Sequence, residues 1–262
     1  MMEILIPVLT LGILGFLFGL GLYFASKKLC VTTDPRLEKV LSKLPGANCG
    51  ACGKPGCIGF TEGLLKGDCS INQCTVSNDA TKKEVANILG VEVEPVIKKV
   101  AIMHCNGGRK ALDRFDYKGI KDCVAADLVM GGQKACIYGC LGFGTCVKAC
   151  PFGAISMNEE ELPIIDENKC TACGKCVAIC PKKLFSLELI EKKYYVACSS
   201  LDTGRDVMAV CPAGCIACRK CELNCPVKAI TVIDNLARFD YNKCQNIGEC
   251  FEVCPTKVIK HR

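Results

Sequence analysis

The stretch 170-CTACGKCVAICP-181 holds Cys170, Cys173, Cys176 and Cys180, the last followed by Pro181. This C-x2-C-x2-C-x3-C-P spacing is that of a bacterial [4Fe–4S] loop. There the first three cysteines grip one cluster and the fourth reaches a second. The run returns complete as 215-CIACRKCELNCP-226, with Cys215, Cys218, Cys221 and Cys225–Pro226. Two complete copies in one chain call for an α+β architecture of short strands and one-turn helices around paired iron–sulfur clusters.

Two further runs are altered. In 136-CIYGCLGFGTCVKACP-151 the second ligand position holds Phe143, and in 243-KCQNIGECFEVCP-255 it holds Ile247. Handing the fourth cysteine of each run to the neighbouring cluster groups Cys170, Cys173 and Cys176 with Cys150. It likewise groups Cys215, Cys218 and Cys221 with Cys254. The run through Phe143 is expected to be repaired by the upstream Cys136, so that Cys136, Cys140, Cys146 and Cys180 form one set. Four [4Fe–4S] clusters are thus expected, counting the separate set described next. A fifth site, at Cys225, Cys244 and Cys250, lacks a thiolate. It has three readings: a [3Fe–4S] cluster, a four-iron cluster completed by Cys198 or Cys211, or an empty site packed by Ile247.

Ahead of these runs, Cys49, Cys52 and Cys57 with Cys74 form a separate four-ligand set, in which Cys69 competes for the last place. Cys30, Cys69, Cys105, Cys123, Cys198 and Cys211 remain, and each reads as a small buried apolar side chain. The second half also repeats itself. Cys123, Cys136, Cys140, Cys146 and Cys150 recur 75 residues later as Cys198, Cys211, Cys215, Cys221 and Cys225, which indicates two copies of one two-cluster module.

The 25 cysteines among 262 residues are an odd count in tight groups, which suits metal ligation and not a disulfide framework. Zinc ribbons also use C-x2-C pairs, but as two separated pairs. The formal charge of +6 counts every cysteine as neutral. Each four-thiolate [4Fe–4S] site carries about −2, so five would take the chain to about −4. The basic residues offset cluster charge, and nucleic acid is not an expected partner. No G-x-G-x-x-G dinucleotide motif opens a helix after a strand. No nucleophile or acid–base constellation stands out, so an electron carrier is expected, without substrate chemistry of its own.

Residues 4–25, ILIPVLTLGILGFLFGLGLYFA, are free of charge and long enough as a helix to cross a membrane. The acidic start at Glu3 and the basic flank at Lys27 and Lys28 argue against a cleaved leader and put the C-terminal side in the cytoplasm. Gly15 and Gly19 form a GxxxG pattern that lets a second helix approach. Beyond the span, helices are expected from Asp34–Pro35, over 59–65 ending near Gly67, and over 80–89 ending at Gly90. A short strand is expected at 100-VAIMHC-105. The resulting division is an anchor at 1–29 and a four-cysteine domain at 30–90. A linker with a short strand follows at 91–135, then ferredoxin-like modules at 136–190 and 191–262.

A CGACGKPGC…C set behind one N-terminal span and ahead of ferredoxin modules resembles the B component of the Rnf complexes, in order and over nearly the whole chain. The four-cysteine domain also resembles that of corrinoid iron–sulfur proteins. The Rnf resemblance implies a component of a membrane-bound ferredoxin:NAD oxidoreductase that couples electron flow to Na+ or H+ translocation. It implies reduced ferredoxin as donor, other membrane subunits as partners, and the inner (cytoplasmic) membrane as location. The family pattern has a complete fourth run, from which Ile247 departs.

Overall fold

A computed structural model describes residues 2–29, 34–93 and 96–262. Cys30 lies outside the described residues. The N-terminal helix α1, Met2–Lys28, projects its apolar side chains outward, with Leu11, Phe16, Leu22 and Phe24 all exposed. Such a surface is stable only against lipid or another apolar partner.

A small helical domain follows. Asp34 caps α2, Pro35–Lys43, by accepting the Arg36 N–H at 2.8 Å. Helix α3, Gly56–Lys66, and helix α4, Asp79–Leu89, each end at a glycine in the left-handed region, Gly67 and Gly90. Glycine adopts that conformation without the Cβ clash other residues meet. The amphipathic faces meet in a core of Val40, Phe60, Leu64, Ile71 and Val85, against which Cys52, Cys57, Cys69 and Cys74 pack.

Among the described residues the remainder holds four two-stranded antiparallel sheets. Strand β1, Lys99–Met103, pairs with β4, Phe185–Leu189, in the register Lys99↔Leu189 to Met103↔Phe185. Between them lies the hairpin of β2, Ile155–Met157, and β3, Pro163–Ile165. The second module repeats the plan. Strand β5, Tyr194–Val196, pairs with β8, Ile259–His261, around the hairpin of β6, Ile230–Ile233, and β7, Leu236–Phe239. Asp234 and Asn235, both at positive φ (50° and 60°), make the tight turn of that hairpin, whose twist matches the strands it joins. Strand pairing thus carries the first module back to Lys99, inside the stretch read as a linker. The segment after β1 is an insertion, which carries the helix α5, Cys123–Asp127.

One-turn helices complete the modules: α6 Thr145–Ala149 and α7 Lys175–Ile179 in the first, α9 Lys220–Leu223 and α10 Glu249–Glu252 in the second. Helix α8, Gly204–Val210, precedes α9. Each module buries a core of cysteines and aliphatic residues, Leu184 and Phe185 in one, Ile230 and Ile259 in the other.

Candidate metal centres

The four cysteine runs share one backbone. The residues on either side of the second ligand position all have positive φ. They are Gly142 (80°) and Gly144 (69°), Ala172 (55°) and Gly174 (76°), Ala217 (53°) and Arg219 (58°), and Asn246 (57°) and Gly248 (96°). Three residues beyond each run's last cysteine, Gly153, Lys183, Lys228 and Lys257 are left-handed as well. Left-handed residues between right-handed ones turn successive N–H groups toward one point, a concavity that favours an anion. A non-glycine residue there costs roughly 1 kcal/mol, and the chain accepts that cost repeatedly. Phe143 and Ile247 sit in the same frame as Cys173 and Cys218.

Cysteines ring cavities in these frames. Cys215, Cys218, Cys221 and Cys254 line one of about 330 Å³. Cys140, Cys146 and Cys180 line another of about 390 Å³, and the fourth sulfur on its wall is Cys123, not Cys136. Cys123 starts α5, whose N-cap Asp122 accepts the N–H groups of Val124 and Ala125. The Thr145 hydroxyl donates to Asp122 at 2.8 Å and accepts the Cys123 N–H at 2.7 Å. A polar clasp between the insertion and α6 therefore holds the Cys123 thiol on that cavity wall. Cys136 faces a second cavity, of about 430 Å³, together with Cys105, Cys198 and Cys211, and Cys140 stands on the wall of both. Four of the six thiols read as inert packing, Cys105, Cys123, Cys198 and Cys211, thus stand on cavity walls. The sequence does hold a signal for them, since cysteines outside the runs recur in both modules and plain packing does not require that.

Cys170, Cys173 and Cys176 face one another. Burial pushes the Cys176 thiol up to about 12, and the neighbouring sulfurs of Cys170 and Cys173 add to the shift. Cys150 packs against the same core. The Ala101 N–H donates to Cys170 Sγ at 3.4 Å, and the Ala229 N–H to Cys225 Sγ at 3.2 Å, contacts of the kind that tune cluster potential. The last cavity, of about 320 Å³, is lined by Cys225, Cys244, Cys250 and Ile247. Its volume matches that of its complete neighbour. Cys198 and Cys211, expected to be its nearest spare thiols, line the cavity of Cys105 and Cys136 and not this one.

In the helical domain Asn48 Oδ1 accepts the Cys57 N–H at 2.8 Å, fixing the loop that carries Cys49, Cys52 and Cys57. Cys74 Sγ accepts the Ser77 hydroxyl at 3.1 Å. Cys69 instead donates its S–H to the Phe60 carbonyl at 3.6 Å, and burial raises its pKa.

Burial raises Cys146 and Cys250 to about 11 and Cys221 to about 12, with nearby cysteines adding to each shift. Ionising such a set is costly unless a cation sits among the sulfurs. Soft thiolates suit iron–sulfur clusters, zinc or copper(I). The sulfurs surround open space, and among the described residues no three His, Cys, Asp or Glu side chains close on one point as a single ion requires. Thiolates around an anion-seeking backbone nest fit a polynuclear iron–sulfur group.

Comparison with known proteins agrees. A family model described as a putative Fe–S cluster matches residues 44–76, and one described as a 4Fe-4S dicluster domain matches 135–184 and 214–258. The chain is 43% identical to the B component of the Na(+)-translocating ferredoxin:NAD(+) oxidoreductase complex of Acetobacterium woodii, over 98% of this chain and 78% of that protein. It is 40% identical to the B component of the ion-translocating oxidoreductase complex of Methanosarcina acetivorans, over 97% of both. The chain belongs to the family of B components of ion-translocating oxidoreductase complexes. A third member, from the proton-translocating ferredoxin:NAD(+) oxidoreductase complex of Clostridium ljungdahlii, is 41% identical over 99% of this chain and 93% of its own length. Members of this family work within multi-subunit complexes, and the iron–sulfur domains fit an electron-relay role. With the exposed apolar helix α1, membership indicates membrane association.

Proposed function

We propose that the chain takes electrons one at a time from reduced ferredoxin and passes them along its cysteine-ringed sites toward membrane subunits of the complex. The observation that carries this reading is the sharing of runs between sites. Cys176 belongs to one ring and Cys180, at the end of the same one-turn helix α7, to the next. One helical turn thereby ties two neighbouring sites together. The ligand sets are Cys49, Cys52, Cys57 and Cys74; Cys123, Cys140, Cys146 and Cys180; Cys150, Cys170, Cys173 and Cys176; and Cys215, Cys218, Cys221 and Cys254. Cys225, Cys244 and Cys250 hold a three-iron group in the cavity beside Ile247. Each group, when bound, accepts and releases a single electron.

Ferredoxin as donor is supported by the surface around Cys218, the exposed cysteine of its ring. Arg219 and Lys220 beside it are exposed too, a basic patch suited to an acidic partner. Residues 26–262 face the cytoplasm, held near membrane subunits by α1. Stopped-flow mixing with reduced ferredoxin tests the reading: iron–sulfur absorbance should bleach rapidly, and more slowly as salt is raised. Rapid bleaching by NADH with none by ferredoxin would overturn it.

A further inference from the structure

The cavity between the two modules borders the Cys140 site, but its other cysteines, Cys105, Cys136, Cys198 and Cys211, belong to none of these sets. We infer that Cys105, Cys136, Cys198 and Cys211 bind a further [4Fe–4S] cluster that joins the first module to the second. The inference extends the relay reading and rests on it.

The four cysteines are two equivalent pairs. Cys105 lies two residues after the end of β1, and Cys198 two residues after the end of β5. Cys136 stands four residues before the first cysteine of its run, Cys140, and Cys211 four before Cys215. Their turns match: the Gly139 N–H donates to the Cys136 carbonyl at 3.0 Å, and the Gly214 N–H to that of Cys211 at 3.2 Å. Both thiols accept a backbone N–H, Cys105 Sγ that of Cys140 and Cys198 Sγ that of Ser200, each at 3.5 Å. Each module thus contributes the same two positions to a shared site, as two subunits do across a two-fold axis. The 75-residue repeat conceals this by aligning Cys198 with Cys123, because the insertion after β1 lengthens the first module.

The site is built to exclude bulk. A Cβ on Gly107 would lie 3.2 Å from Cys211 Sγ and 3.7 Å from Cys105 Sγ, and one on Gly214 only 2.4 Å from Val207. The space between them is about 430 Å³. His104 bolts the joint, with its ring nitrogens against the Val196 carbonyl at 2.8 Å and the Ser186 hydroxyl at 2.9 Å. Binding would release four thiol protons, and four thiolates around a [4Fe–4S]2+ core leave about −2. A cluster held here would accept one electron from the reduced Cys140 site, whose N–H contacts Cys105 Sγ, and would pass it to the oxidised Cys215 site.

The test is made on the full chain. Cys136→Ser and Cys211→Ser should each lower iron by up to about four per chain, while Cys69→Ser leaves it unchanged. An iron-edge anomalous map of the unaltered chain should show a peak between His104 and Gly214, which decides the matter even if a variant fails to fold. Iron elsewhere but none at that point, or zinc there in its place, overturns the inference and leaves the relay standing. Iron missing from all cysteine rings would sink both.

Discussion

The proposed repair of the first run by Cys123 can be separated from every neighbouring assignment by one exchange. Cys123→Ser leaves Cys140, Cys146 and Cys180, a three-thiolate site that should drop about one iron per chain and show a three-iron signal in oxidised EPR. Adding Phe143→Cys should restore it. Phe143 sits between left-handed Gly142 and Gly144 just as Cys173 sits between Ala172 and Gly174, so a thiol there inherits the ligand position. The exchange has a cost elsewhere. The Phe143 ring lies 5.4 Å from Tyr117 and 5.3 Å from the Lys121 ammonium, contacts that hold the insertion to the module. Losing the ring pair costs about 1 kcal/mol and the exposed cation–π contact roughly 0.5 kcal/mol. At 1.4 kcal/mol per tenfold, the insertion should open about ten times more often. Iron analysis with EPR follows the ligand, and amide exchange over residues 112–130 follows the opening. An unchanged iron count and EPR spectrum in Cys123→Ser would refute the assignment.

Ile247→Cys should add about one iron per chain and abolish the three-iron signal, since Asn246 and Gly248 already hold the ligand backbone; metal analysis and EPR would read this. Cys74→Ser should cost the helical domain iron and Cys69→Ser should not, because only Cys69 satisfies itself as a thiol donor; the reverse order in iron content would assign Cys69 as ligand. Arg219→Glu with Lys220→Glu should slow bleaching by reduced ferredoxin about tenfold or more at low salt, with little change at high salt. Protease added to sealed right-side-out cells should leave residues 26–262 intact, and digestion there would reverse the proposed orientation.

How much of this can be read from the chain follows from how local each signal is. The run from Cys170 to Pro181 declares its ligands by spacing alone, and the helix ends at Gly67 and Gly90 declare themselves by residue type. Strand β1 is visible as a strand, but its partner β4 lies far along the chain, so its place in the first module is not. Cys136, grouped with Cys140 and Cys146 by nearness in sequence, lines a cavity with Cys105, Cys140, Cys198 and Cys211, and Cys123 lines the one that holds Cys146 and Cys180. Cys123, which shares a cavity wall with Cys140, comes from α5, positioned by Asp122 and Thr145 through contacts that leave no spacing signature. Cys105, Cys136, Cys198 and Cys211 come from four separate segments and meet only when the modules dock. Their equivalence shows once each is counted from a strand end or from the run ahead of it.

The central claim, that these rings of cysteine hold a multi-cluster relay, is tested most directly by counting iron and acid-labile sulfide on the intact, anaerobically purified chain. Five four-iron groups and one three-iron group predict about 23 irons and about 24 sulfides per chain. Bound zinc with no labile sulfide would contradict the account.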